Sequence, residues 1–292
     1  MVAVAVVAGV LAAGGGAWWL LSARGRAADA AAAAGQRQLF EVALLAAHEP
    51  RAPAACRTKN RATLEALAEA AGRLAGGAPR SGRPQDLEAV TRLEAARESA
   101  GSAAEYWYLL GRALLFAGRE AASVEEVAKK ALEACPDFAA AHNLSGTAGF
   151  VSGRDQEALG HYERAVALDR GYVTPRVNRA LVLLRQKRVQ EALHDLDVVV
   201  KEAPGHPDAL LVRGQALLLD GAAARALPDL EASVRLAPGN SAAHLLLGEA
   251  YSREQRHDEA QAAFCRAKAL GNRNAAARCQ DDGGAARPGA GP

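Results

Sequence analysis

The chain is short of the residues and motifs that announce chemistry. Aromatic side chains make up only 4% of its 292 residues. Few runs alternate Val, Ile, Thr or aromatic residues with polar ones, which excludes an extensive sheet. No H-E-x-x-H, C-x-x-C, G-x-S-x-G or Gly-rich phosphate loop occurs. The 7 histidines are scattered, and none pairs with a cysteine at zinc spacing. No catalytic residue, metal ligand or cofactor is therefore expected. An excess of one charge is missing too. The 35 basic and 33 acidic side chains leave a net charge of +2. Arg and Glu are interspersed rather than gathered into a basic stripe, so no nucleic-acid partner is expected.

What is abundant is small and apolar. Half of the chain is hydrophobic, with alanine supplying much of the total. Alanine loses no side-chain entropy in a helix, so the expected fold class is all-α. The Arg-, Gly- and Ala-heavy usage is of the kind a GC-rich bacterial genome encodes.

Residues 2–21 carry no charged or strongly polar side chain. Twenty helical residues at about 1.5 Å each span roughly 30 Å, the hydrocarbon thickness of a bilayer. Trp18 and Trp19 sit at the far end, followed by Arg24 and Arg26, as at a membrane interface. A cleaved secretory signal is the competing reading. It lacks a charged leading region, its apolar stretch is overlong, and Ser22-Ala23-Arg24 is a poor cleavage site. An uncleaved single-pass anchor over residues 1–23 is expected. Arg24, Arg26 and Arg37 flank it on the C-terminal side, which favours a cytoplasmic body. The even cysteine count, Cys56, Cys135, Cys265 and Cys279, would suit an oxidising periplasm. The charge bias is given the greater weight, so the body is expected in the cytoplasm.

Self-similarity dominates the remainder. Gly111, Gly146, Ala180, Gly214 and Gly248 recur at steps of 35, 34, 34 and 34. The same steps separate Ser123, Ala158, Ala192, Ala226 and Ala260. They also separate Val127, Tyr162, Leu196, Leu230 and Phe264, while Pro136, Arg170, Pro204, Pro238 and Asn272 recur at an even step of 34. Small residues let two helices approach closely, the bulky residue one turn on fills the seam, and proline ends the second helix. A single hairpin cannot bury its own apolar face, so such units must stack.

These ladders resemble the tetratricopeptide-repeat family, whose 34-residue unit pairs two antiparallel helices. The resemblance covers residues 104–272 as five units: 104–138, 139–172, 173–206, 207–240 and 241–272. The last fits best, through Leu247-Gly248, Tyr251, Ala260, Phe264 and Ala267. In the third and fourth units, Arg179 and Arg213 replace the Leu usual before the small residue. Upstream, residues 60–103 read as a degenerate hairpin, with Gly72 as its small residue and Ala89, Leu93 and Ala96 in its second helix. Residues 24–59 read as a helical linker, 76–84 as an extended loop, 273–280 as a short cap and 281–292 as a disordered tail. The expected architecture is a helical-hairpin solenoid behind a single transmembrane helix.

The resemblance also implies a binding surface, because family ligands lie against the first helix of each unit. Carried onto this chain, the inward positions are Tyr108 and Arg112, then Asn143 and Thr147, then Asn178, Leu181 and Arg185. Leu211 and Gln215 follow in the fourth unit, and Leu245 and Glu249 in the fifth. The amides could hydrogen-bond a peptide backbone and the leucines hold apolar side chains. The Lys/Asn pattern with which some members grip a C-terminal carboxylate is missing. His142 and His244 share one repeat slot and read as helix-seam residues. Cys265 and Cys279 could close the cap onto the last helix, although a cytoplasmic body makes two ordinary thiols the expectation. The function implied is a membrane-anchored, non-catalytic scaffold binding a protein or peptide. An envelope-biogenesis or complex-assembly factor is the alternative, and an enzyme with an unrecognised site comes third.

Overall fold

The computed structural model describes residues 50, 52–58, 60–74, 84–100 and 103–279. The expected membrane segment, most of the linker, the 76–83 loop and the 281–292 tail lie outside the described residues. No helix among the described residues is long and apolar enough to cross a membrane.

Every regular element among the described residues is helical. A 3-10 turn at Ala54–Cys56 precedes α1 (Arg61–Leu74), α2 (Pro84–Ala95) and the short α3 (Arg97–Ala100). Then come α4 (Ala104–Phe116), α5 (Ala121–Ala134), α6 (Ala139–Val151) and α7 (Asp155–Leu168). They are followed by α8 (Thr174–Arg185), α9 (Val189–Glu202), α10 (Pro207–Leu219) and α11 (Ala223–Leu236). The series ends with α12 (Ser241–Arg253), α13 (His257–Ala269) and α14 (Arg273–Ala276). Residues 52–58 depart from the expected helical linker, forming a single 3-10 turn with extended ends. Pro50 and Pro53 account for this, since neither can donate to a helix and each biases its predecessor away from α geometry.

The chain divides into two compact units, Met1–Pro175 and Arg176–Pro292. In the first, α1 packs with α2, α4 with α5 and α6 with α7, and α6 also lies against both α4 and α5. In the second, α10 packs on α11 and α12 on α13, with α12 against both α10 and α11 and the cap α14 on α13. The pairs run antiparallel. Within α6/α7, Gly149 lies beside Ala158 near the turn, while His142 meets His161 at the far end.

The glycine and bulky-residue ladders turn out to be a single device. A Cβ built at Gly146 would lie 2.6 Å from the Tyr162 ring. The same atom at Gly214 would lie 2.6 Å from Leu230, and at Gly248 2.6 Å from Phe264. At Gly111 it would meet Leu144 at 2.5 Å and Val127 at 2.8 Å. Ordinary carbon contacts are about 3.5–4.0 Å, so at these four positions a Cβ would overlap its neighbour, whereas the third hairpin admits a fully buried Ala180 in the same slot. Ala158, Ala192 and Ala226, from the second ladder, are fully buried.

Both turns of the repeat are stereotyped. At the end of each first helix one residue takes a left-handed conformation: Gly118, Gly153, Lys187, Gly221 and Gln255, with φ between 60° and 80°. The next N–H then reaches back to a carbonyl five residues earlier, as in Arg154 to Gly149 and Ala222 to Leu217. This is the Schellman closure, which satisfies carbonyls a helix end would otherwise orphan. In the first, third and fourth hairpins, proline stands in the turn that closes the second helix, at Pro136, Pro204 and Pro238. Phe138, His206 and Asn240 donate back across it to Cys135, Ala203 and Ala237. Proline's fixed φ suits the second position of such a turn.

Two cross-links are present and use all four cysteines. Cys56 is bonded to Cys135, tying the turn before α1 to the end of α5 across 79 residues. Cys265 is bonded to Cys279, fastening the cap to α13 across 14 residues.

Candidate functional site

The positions carried over from the family fall in both units. In the first, α4 and α6 present Tyr108, Arg112, Asn143 and Thr147. Tyr108 and Arg112 do not reach the surface, being 2% and 9% exposed. Tyr108 sits edge-on to Phe138 with ring centroids 5.1 Å apart, and the Arg112 guanidinium stacks 5.3 Å from the Phe116 ring. The upstream hairpin packs against α4, so this repeat is internal to the array. Asn143 and Thr147 are half-buried. Asn143 Nδ2 donates to the Tyr172 hydroxyl at 3.0 Å. The Thr147 hydroxyl donates to its own helix at Asn143 O and accepts from the Tyr162 hydroxyl at 3.4 Å. Burial pushes the Tyr162 phenol up to about 12.

In the second unit, Asn178, Leu181, Leu211, Gln215, Leu245 and Glu249 are half-buried, and Arg185 is exposed. Leu245 packs against the cluster formed by Ala260, Phe264 and Cys279. Glu249 accepts from Arg278 at 2.6 Å, and that guanidinium also lies 5.4 Å from the Phe264 ring. Glu249, Ser252, Arg253, Phe264 and Arg278 line an open notch of about 420 Å³ at the capped end. Arg253 donates from this notch to the Leu218 carbonyl.

The departures at Arg179 and Arg213 have a structural answer. Arg179 forms a bidentate pair with Asp195 at 2.6 and 2.7 Å, and Arg213 does the same with Asp229 at 2.7 Å. Arg213 also reaches Asp197 of the preceding hairpin at 3.1 Å. Asp195 and Asp229 are nearly inaccessible, at 3% and 6% exposure. The Asp229 hydrogen bond raises the Arg213 pKa above its ordinary value. The ion pair thus replaces an apolar seam, and both partners stand 16 residues apart in each unit.

The shared histidine slot is also resolved. The His142 Nε2 lies 2.9 Å from the Pro136 carbonyl and the His244 Nε2 3.1 Å from Pro238, so each ring closes the turn before its helix. His142 differs in having a second contact, Nδ1 to Nδ1 of His161 at 3.1 Å. Burial holds both of these imidazoles below the ordinary value of 6.5. Among the described residues no group of three or more His, Cys, Asp or Glu side chains converges as a metal cage would require.

Two family profiles, both described as tetratricopeptide repeat, match the chain. One covers residues 87–137, 126–173 and 177–241, and the other residues 217–278. The chain belongs to the tetratricopeptide-repeat family.

Solved structures of other tetratricopeptide arrays share the fold. A thermophilic member from Thermus thermophilus superposes with a TM-score of 0.53 at 22% identity, over 61% of this chain and 97% of that one. A chain of the APC/C hetero-tetramer Cut9–Hcn1 gives 0.65 at 14% identity, over 87% of this chain and 48% of that one. Identities this low establish the fold alone. MamA from Desulfovibrio magneticus superposes less closely, with a TM-score of 0.47 at 22% identity, over 61% of this chain and 97% of that one. No curated protein matches the chain. Tetratricopeptide repeats are, as a family, protein-interaction modules.

Proposed function

We propose that this protein is a non-catalytic scaffold that holds a protein or peptide partner against the first-helix face of its repeats, tethered to a membrane by residues 2–21. The observation carrying the proposal is family membership across most of the chain, joined to a second-unit face on which Asn178, Arg185, Leu211 and Gln215 remain accessible to solvent. Amide and guanidinium groups there can pair with a peptide backbone or its carboxylates, beside leucine surface that can take apolar side chains. Tethering would confine the partner to the bilayer surface and raise its effective concentration without a new contact.

We further assign the body to the oxidising side of that membrane. The support is that all four cysteines are paired, in two bonds distant from one another in sequence. Disulfides persist in oxidising compartments and are rare in the cytosol. The Arg24, Arg26 and Arg37 flank argues the other way, but large domains are translocated with little regard to charge.

Affinity capture with the full chain tests the binding reading. A partner should be retained by the wild type and lost by Arg185→Glu/Gln215→Glu, a variant that alters accessible side chains only. Retention of the same protein by both would count against this face. Impermeant thiol labelling of intact cells tests the orientation: Cys135 and Cys279 should label only after reduction, and labelling confined to lysed cells would reverse the assignment.

A further inference from the structure

The His142–His161 contact is the one place among the described residues where imidazoles of two different helices meet. His142 lies one turn into α6, and His161 lies midway along α7. Their Nδ1 atoms are 3.1 Å apart, with ring centroids separated by 5.4 Å. Both rings are half-buried, so they are held in place yet open to solvent on one side. The geometry points to a two-histidine binding site for a borderline divalent transition metal, with Cu²⁺ the best match.

Three features carry this. Two nitrogen ligands about 2.0–2.1 Å from a metal are about 2.9 Å apart at a right angle and about 3.3 Å apart at the tetrahedral angle. The observed 3.1 Å falls between, so the separation of the two nitrogens suits an ion, which a turn of the rings would let both lone pairs face. Second, His142 uses Nε2–H to donate to the Pro136 carbonyl, which leaves its lone pair on Nδ1, facing His161. A metal-bound histidine is ordinarily oriented by a bond of this type. Third, the carboxylates of Glu157 and Glu125, both paired with Arg154, act through space on His161 in the direction that favours a cation, while at His142 the Arg164 guanidinium outweighs Asp137.

The exchange balances without any co-reactant. Two neutral imidazoles share one Nδ1 proton. On metal binding that proton passes through solvent to His161 Nε2, and both Nδ1 lone pairs go to the ion. Water fills the remaining positions, giving the tetragonal nitrogen–oxygen set that Cu²⁺ favours.

The repeat supplies its own control. His244 occupies the slot of His142 and donates to Pro238 in the same way, but Ala263 stands where His161 would be. The test is a Cu²⁺ titration of the full, untagged chain in detergent at about pH 7.5, above the ordinary histidine range. Electron paramagnetic resonance with pulsed detection of imidazole nitrogens then reads the ligand set. The expected result is one Cu²⁺ per chain with two imidazoles. His161→Ala, which copies the fifth repeat, should weaken that site at least tenfold, and His244→Ala should leave it unchanged. His161→Gln preserves a donor to His142 and guards against a folding defect. It too should lose the two-imidazole signal while melting like the wild type. A site bearing a single imidazole, or one unaffected by His161→Gln, would overturn the proposal.

Discussion

Replacing Gly146 by alanine sets two effects of opposite sign against each other. A helix-interior glycine costs about 1 kcal/mol relative to alanine, so propensity alone favours the substitution. The new Cβ, however, would lie 2.6 and 2.7 Å from Cε1 and Cδ1 of Tyr162, when about 3.5 Å is the closest comfortable approach. Either the ring or the helix must retreat by roughly 1 Å to restore that distance. The ring has little room, because Tyr162 is 1% exposed and its hydroxyl is engaged with Thr147. Overpacking of this kind costs about 1–3 kcal/mol, and interiors pass such strain on rather than absorb it. The net expectation is a destabilisation of up to about 2 kcal/mol, or a fall in melting temperature of up to roughly 8 °C. Urea unfolding of the full chain followed by circular dichroism reads the difference. Pairing the change with Tyr162→Leu, the residue type of the third and fourth hairpins at this slot, should recover part of the loss as a positive coupling. If Gly146→Ala alone equals or exceeds the wild type in stability, the close approach is not what demands glycine.

Other consequences follow from the same geometry. Asp229→Ala removes the bidentate partner of Arg213 in a largely buried seam, leaving it only Asp197, and should cost about 2 kcal/mol, whereas Arg213→Leu/Asp229→Ala, the combination already present as Leu247 and Ala263, should unfold close to the wild type in urea. Lys187→Gly and Gln255→Gly relieve left-handed backbone at φ of 61° and 60°, and each should stabilise by about 1 kcal/mol in the same assay. Replacing Cys56 and Cys135 by serine releases a 79-residue loop worth about 4.5 kcal/mol of chain entropy, against about 3 kcal/mol for the 14-residue Cys265–Cys279 loop, so the first variant should show the larger drop in urea midpoint. His142 and His161 have folded-state pKa values below 6.5, so the unfolded chain takes up protons first as pH falls. Their contribution is intact above about pH 6.5 and lost as pH drops from there through the folded-state values. His142→Asn/His161→Asn should therefore flatten the fall in urea midpoint between about pH 7.5 and pH 5.

The helical-hairpin fold was legible because its constraints are local and repeated. Glycine at 146, 214 and 248 answers a bulky partner 16 residues later, so two ladders with one step describe one contact. The left-handed turn slot left a weaker trace, since Lys187 and Gln255 interrupt the glycines at 118, 153 and 221. The Arg179–Asp195 and Arg213–Asp229 pairs could have been found, because arginine and aspartate recur together at a fixed spacing in adjacent units. Nothing local marks Cys56 as the partner of Cys135, which depends on how the residues before α1 lie against α5. The burial of Tyr108 and Arg112 is of the same kind. Tyr108 lies against Phe138 and Arg112 against Phe116, contacts that the repeat spacing does not announce. His142 and His161 come from helices of one hairpin, but their separation of 19 residues differs from the 16 of the seam pairs. No ladder could have joined them.

Site-specific photo-crosslinking in living cells tests the scaffold reading most directly. A photoreactive residue would be placed at Gln215 on the first-helix face and, as the comparison, at exposed Arg235 on α11. The full chain with its N-terminal segment would be used in both cases. The expected result is a discrete protein adduct from position 215 that is missing from position 235 and is abolished by Arg185→Glu. The absence of any protein adduct from position 215, or the same adduct from both positions, would contradict a partner held against this face.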